Sequence, residues 1–142
     1  MPPANELAYR IGAAARQPAN WAQLLKFGLV GGSGYLINLA VFALLAGGLD
    51  FHPALAAVGA FTVAVTNNFL WNRHWTFGPG DSPARFQAAR FFTVSLASLG
   101  LNLAVLQLLL VSSTLGELPA QAIAVAVAMP FNFLGNKLWT FA

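Results

Sequence analysis

Sliding the chain against itself by 64 residues aligns it without a gap. Phe91 falls on Phe27, Asn102 on Asn38, Asn132 and Asn136 on Asn68 and Asn72, and Trp139, Thr140 and Phe141 on Trp75, Thr76 and Phe77. Over residues 26–77, 19 of 52 positions are identical to their counterparts. A chain this rich in Ala and Leu would match itself by chance at only about a tenth of positions. Polar residues also match in kind, Lys26 with Arg90 and Arg73 with Lys137, and composition alone would not put them in register. The chain reads as two copies of one unit.

Charge spacing says what kind of unit. Residues 27–49, 53–72, 91–116 and 118–136 are free of charge, runs of 23, 20, 26 and 19 residues. A helix crosses a hydrocarbon core in about 20 residues. Only 8% of residues are charged, against roughly 25% in a soluble domain. Backbone groups in lipid must be satisfied within the segment, so the runs are expected to be helices. The fold class is therefore an all-α membrane protein: four transmembrane helices arranged as two tandem helical hairpins. Two spans per repeat give both copies the same topology, related by an axis along the membrane normal.

Orientation follows from the basic residues. Arg10, Arg16 and Lys26 precede the first span, Arg73, Arg85 and Arg90 lie between the second and third, and Lys137 follows the fourth. The other two connections carry neither Lys nor Arg. That side is expected to be cytoplasmic, with both termini inside. Trp21, Trp71, Trp75 and Trp139 fall near the same interface, where amphipathic rings anchor spans. The expected localisation is a multi-pass position in a cytoplasmic membrane.

The flanks are sparser. Residues 1–23 form a cytoplasmic segment that does not read as a cleaved signal peptide, because the first apolar run is too long. Asn20 followed by Gln23 resembles a capping box, which predicts a helix starting at Trp21 and running into the first span. Residues 24–142 then form one four-helix transmembrane domain, with repeats at about 26–77 and 90–141. Residues 78–82 read as a turn, with Ser82 as N-cap and Pro83 opening a short amphipathic lead-in over 84–90.

Catalysis finds no foothold. The carboxylates Glu6, Asp50, Asp81 and Glu117 lie outside the spans and far apart, so no general acid/base pair is visible. His52 and His74 are expected on opposite sides of the membrane, which rules out a shared metal site in one chain. Without cysteine there is no thiolate chemistry. A non-enzyme is expected, with no cofactor, no metal and no nucleic-acid partner.

Polar residues within the spans are the candidates for function. Asn38 is the midpoint of the first span and Asn102 lies near the middle of the third. Such amides face a bundle interior, either as hydrogen-bonding glue between helices, the commoner role, or as ligand contacts. The small residues between Gly28 and Gly34, with Gly28 and Gly32 four apart, predict close helix packing; the second copy has Phe92, Ser95, Leu96, Ala97 and Ser98 at the matching places. At the ends of the second and fourth spans, Asn68/Asn72 and Asn132/Asn136 are each spaced to share a helix face. Arg73 and Lys137 follow, and a hairpin brings Lys26 and Arg90 to the same ends. Cations with amides at one depth suit a phosphate. The alternative is that the cations set topology and snorkel to lipid phosphates generally.

At these residues the chain resembles the GtrA-like family of small bacterial membrane proteins. The matching pieces are Lys-Phe-Gly-Leu-Val-Gly-Gly at 26–32, Asn38, and the pattern Asn-Phe-x-x-Asn-[Arg/Lys]-x-Trp-Thr-Phe at 68–77 and again at 132–141. The resemblance implies four spans and a role in cell-surface polysaccharide assembly in the bacterial cytoplasmic membrane. It implies translocation of polyprenyl-phosphate-linked monosaccharides, or support of the glycosyltransferases that use them. In the first reading the lipid phosphate docks on Lys26, Arg73, Arg90 and Lys137, with Asn68, Asn72, Asn132 and Asn136 beside it, and Asn38 and Asn102 pass the sugar. In the second the chain is a non-transporting adaptor for a membrane glycosyltransferase. A small drug exporter also fits four short-looped spans, but that class uses an embedded glutamate and no span here carries one. Membrane lipids and a second copy of the chain are further expected partners.

Overall fold

The structure, a computed structural model, describes residues 4–142. The described residues form five α-helices, α1 (Ala4–Ala15), α2 (Pro18–Phe42), α3 (Pro53–Trp71), α4 (Ala84–Ser112) and α5 (Glu117–Gly135), with no strand among them. Three of these helices continue into π-helical turns: α2 into Ala43–Gly48, α3 into Asn72–Thr76 and α5 into Asn136–Thr140. The four charge-free runs are thus helices, and the segments Pro18–Gly48, Pro53–Thr76, Ala84–Ser112 and Glu117–Thr140 are each long and apolar enough to cross a membrane. The protein is an all-helical, multi-pass membrane protein.

The chain divides into two compact units, Met1–Thr76 and Phe77–Ala142. In the first, α2 packs along α3; in the second, α4 packs along α5. The buried residues explain each pairing. In the first unit α2 buries Phe27, Val30 and Gly34, and α3 buries Ala56, Ala60 and Ala64. Alanine every fourth residue makes a smooth stripe that lets two backbones approach where lipid offers no hydrophobic drive to association. In the second unit α4 buries Phe91, Val94 and Ser98, and α5 buries Ala120, Ala124 and Ala128. Every one of these residues stands 64 positions beyond its counterpart, so the two hairpins bury the same faces.

Glycine marks the tightest approaches, and within the small-residue stretch 28–34 the close one falls at Gly34 rather than at Gly31 or Gly32. Gly31 and Gly32 are exposed, and a Cβ added to either would meet nothing within 4 Å. The close contact in the first hairpin is Gly34, whose absent side chain leaves room for the Asn68 amide. Gly59 accommodates Leu45 in the same way, and Gly135 accommodates Val94 in the second hairpin.

The helix starts differ from expectation in local detail. Helix α2 begins at Pro18, whose ring fits the first helical position, and so precedes the predicted start at Trp21. Asn20 and Gln23 form no capping box: Asn20 Nδ2 donates to the Ala14 carbonyl at 2.7 Å and Gln23 Nε2 to the Thr76 carbonyl at 3.1 Å. Pro83, rather than Ser82, is the N-cap of α4, and the expected lead-in over 84–90 is continuous with the span. Helix α1 was not foreseen; Trp21 Nε1 reaches back to the Ala15 carbonyl at 2.6 Å and fixes the junction between α1 and α2.

The connections are short and locally determined. Asp50 takes a left-handed φ of 54°, a conformation that Asp tolerates better than most residues. His52 caps α3, its Nδ1 accepting from the Ala54 N–H at 3.2 Å, with Pro53 following. Gly78 and Gly80, with φ of 84° and 61°, turn the chain ahead of α4.

Candidate functional site

Each unit gathers its polar and cationic residues at one end of its hairpin, where the π-helical turn that ends its second helix lies. A π turn widens the helix and shifts its hydrogen bonds by one residue, as in the bond from Phe141 N–H to the Asn136 carbonyl at 2.9 Å. Such turns break the helical register and often mark functional positions. Asn72–Thr76 and Asn136–Thr140 occupy matching places in the two hairpins.

In the first unit, Lys26 on α2 lies with Nζ 5.3 Å from the centroid of the Trp75 indole. Trp71 meets Trp75 edge-on at 6.2 Å. Gln23, one turn before Lys26, donates to the Thr76 carbonyl and ties α2 to the end of the π turn. Asn72 and Thr76 are buried, at 2% and 6% exposure. Asn72 Oδ1 and Thr76 Oγ1 have no hydrogen-bond partner. Arg73 is half-buried between them in sequence, and Asn68 lies against Gly34.

The second unit repeats the arrangement with changes. The Arg90 guanidinium stands 5.7 Å from the Trp139 ring centroid, and its Nη1 donates to the Trp139 carbonyl at 3.2 Å. Lys137 Nζ lies 5.5 Å from the ring of Phe133. Asn136 is fully buried; its Nδ2 donates to the Asn132 carbonyl at 2.9 Å and to Asn132 Oδ1 at 2.8 Å. Its own Oδ1 and the Oγ1 of fully buried Thr140 are unpartnered. Gln87, fully buried, donates from Nε2 to the Pro79 carbonyl. Phe77, Phe133, Phe91 and Phe141 enclose this end, with Phe77 stacked on Phe141 at 5.2 Å.

Magnitudes rank these contacts. A cation over an indole is worth about 0.5–1 kcal/mol when exposed and about 2 when desolvated. A buried polar atom left without a partner costs about 1–3 kcal/mol. The π turns at Asn72–Thr76 and Asn136–Thr140 hold buried oxygens without a hydrogen-bond partner, at the hairpin ends that carry the cations. The cations and the Thr76 and Thr140 hydroxyls can donate to an anionic group, whereas Asn72 Oδ1 and Asn136 Oδ1 only accept and suit a hydroxyl donor such as a sugar's.

The ten residues singled out from the sequence fall as follows. Lys26, Asn68, Asn72 and Arg73 come together at one end of the first hairpin, and Arg90, Asn132, Asn136 and Lys137 at the matching end of the second. Asn38 and Asn102 lie farther along α2 and α4; both are half-buried, and Asn102 Oδ1 has no partner. Sequence reasoning passed over Gln23, Gln87, Thr76 and Thr140 as site residues. Gln23 and Gln87 are themselves 64 apart, just ahead of the stretch where identity is dense, and were visible there.

Comparison with known proteins agrees with this architecture. The family described as "GtrA/DPMS, transmembrane domain" matches residues 26–141. The chain is 30% identical over 117 residues to an uncharacterized membrane protein, YngA, of Bacillus subtilis (strain 168), covering 82% of this chain and 77% of that one. It is 27% identical over 121 residues to a dolichol-phosphate mannosyltransferase of Pyrococcus furiosus, covering 84% of this chain but only 34% of that protein. With its family match spanning both hairpins, the chain belongs to the GtrA/DPMS transmembrane-domain family.

Proposed function

We propose that the protein translocates a polyprenyl-phosphate-linked monosaccharide across the bacterial cytoplasmic membrane, in the service of cell-surface polysaccharide glycosylation, and that it is not itself an enzyme. The observation that carries this reading is the pairing, in each hairpin, of cations with partly or fully buried amides at one end. The cations take the phosphate by charge-assisted hydrogen bonds. Asn68, Asn72, Asn132 and Asn136 accept and donate to oxygens next to it. With the basic residues inside, that end faces the cytoplasm. Support for the lipid class comes from the likeness to a dolichol-phosphate mannosyltransferase.

Passage of the sugar needs polar partners inside the hydrocarbon, where an unsatisfied hydroxyl costs several kcal/mol. Asn38 and the unpartnered Oδ1 of Asn102 are the candidates. The described spans hold no acidic side chain beyond Glu117 at the first residue of α5, so transport is driven by consumption of the lipid-sugar outside rather than by a side-chain proton relay.

A second reading is favoured by one fact: the mannosyltransferase to which the chain is similar is about three times as long as the stretch they share. A membrane domain attached to a catalytic chain suits an adaptor that holds a glycosyltransferase at the bilayer. Proteoliposomes containing only this protein and a lipid-linked sugar separate the two. Translocation by the wild type, lost in Asn38→Leu and Asn102→Leu while lipid binding survives, supports the transporter. A wild type that moves no sugar but raises the activity of a co-purifying glycosyltransferase establishes the adaptor.

A further inference from the structure

We propose that Trp75 and Trp139 are latches: each indole holds a cation in reserve, and a phosphate group on the ligand takes the cation away from the ring. This deepens the lipid-phosphate reading above and rests on it. It assigns a role to two residues that sequence reasoning left as membrane anchors.

Three observations carry it. The pairing recurs, Lys26 with Trp75 and Arg90 with Trp139, at 5.3 and 5.7 Å. All four partners sit 64 residues from their counterparts, yet the cations differ in type, so what recurs is the contact rather than one side chain. Trp75 and Trp139 are 43% and 47% exposed, and Lys26 and Arg90 are half-buried, so neither ring nor cation is sealed inside its hairpin. Last, the neighbouring π turns keep Asn72 Oδ1, Thr76 Oγ1, Asn136 Oδ1 and Thr140 Oγ1 buried and unpartnered. Of these, the two threonine hydroxyls can turn to donate to a phosphate at the same hairpin end, while the Asn oxygens accept from a hydroxyl beside it.

The exchange is favourable by the ordinary ranking of these contacts. A phosphate offers full negative charge and strong acceptors to an ammonium or guanidinium, where an indole offers only its quadrupole. The two latches are unequal. Arg90 keeps a hydrogen bond to the Trp139 backbone carbonyl, which no side-chain substitution at Trp139 removes. The ring is the contact seen for Lys26, so the first hairpin is the more easily released.

The test is equilibrium binding of polyprenyl phosphate to the full-length protein in nanodiscs, with the matching polyprenol and inorganic phosphate as separate probes. Removing the ring frees the cation, so Trp75→Leu should bind polyprenyl phosphate about two- to fivefold more tightly than wild type. Trp75→Phe, which keeps the packing and weakens the quadrupole, should fall between. Trp139→Leu should gain less. In a Lys26→Met background, which itself binds more weakly, Trp75→Leu should no longer tighten binding. Tighter binding of inorganic phosphate by the same factor keeps the latch and makes free phosphate its ligand. A ring that instead stacks on the ligand predicts weaker binding in Trp75→Leu; that result, or no change, overturns the latch while leaving lipid-phosphate binding standing. Absence of polyprenyl phosphate binding to wild type and variants alike removes the underlying reading together with the latch.

Discussion

A Cβ built on Gly34 would fall 2.6 Å from the side-chain amide carbon of Asn68 and nearer still to its oxygen. The glycine on α2 and the asparagine on α3 are therefore shaped to each other, and this contact sets the spacing of the first hairpin. Ser98 and Asn132 hold the matching positions in the second hairpin, where Ser98 is buried too. That hairpin accommodates a small side chain at the place where the first accommodates none.

Gly34→Ala should destabilise the protein by about 1–3 kcal/mol, the usual cost of overpacking a tight contact. Thermal unfolding in detergent, followed by size-exclusion recovery, measures it. Gly32→Ala is the control: open space surrounds that position, so its stability should match wild type. Equal losses at both positions would mean that the glycines matter for backbone reasons and that the Asn68 contact does not.

The second prediction concerns the Asn132–Asn136 pair. Asn136 is fully buried and donates from its amide nitrogen to both the backbone and the side-chain oxygen of Asn132. Asn136→Ala should cost about 1–3 kcal/mol, whereas Asn132→Ala removes only the side-chain acceptor and should cost less. The double variant should fall short of the sum, as coupled neighbours do. Additive losses would show that the amide–amide bond contributes nothing of its own.

The spans were legible because charge is informative in lipid: a run such as residues 27–49 admits one reading. The faces of the spans were not. In a soluble helix the polar side reveals the buried one, but in α3 Ala56, Ala60 and Ala64 are flanked by residues as apolar as themselves. The repeat brought the site residues into two matching sets, yet their partners stayed hidden. Whether Lys26 meets Trp75 or faces headgroups depends on the π turn at Asn72–Thr76, and no spacing rule announces a π turn. The same turns bury Asn72 and Asn136, which a regular helix read as one open ladder with Asn68 and Asn132. Helix α1 was legible too, since its twelve residues divide into an apolar and a polar side at helical period, but it lies outside the charge-free runs that marked the spans.

Orientation gives the third prediction. Taken as four successive membrane crossings, the helices would put all seven basic residues on one side, which the positive-inside rule would make cytoplasmic. A cysteine replacing Ser82 should resist a membrane-impermeant thiol reagent in intact cells, and one replacing Asp50 should react. The chain has no cysteine of its own, so the background is clean. The opposite labelling pattern would invert the protein and move both cation sets to the outer face.

The last prediction separates a specific phosphate site from a generally basic surface. Arg73 and Lys137 occupy matching positions in the two π turns and are half-buried. Arg85 carries the same kind of charge but is exposed on the first turn of α4, against the ring of Phe86. Its counterpart 64 residues earlier is Trp21, so it lies outside the paired pattern. A cation at a bound phosphate contributes a charge-assisted hydrogen bond, about 1.5–3 kcal/mol, whereas one near a headgroup layer contributes about 1 kcal/mol, screened by salt. Arg73→Gln and Lys137→Gln should each weaken polyprenyl-phosphate binding by about tenfold or more, with little dependence on ionic strength. Arg85→Gln should weaken it by less than that, and the difference from wild type should vanish at high salt. Expression and thiol-labelling pattern should stay as in wild type for all three. Equal, salt-sensitive losses at Arg73, Lys137 and Arg85 would reduce the cations to topology signals and leave the hairpin ends without a ligand.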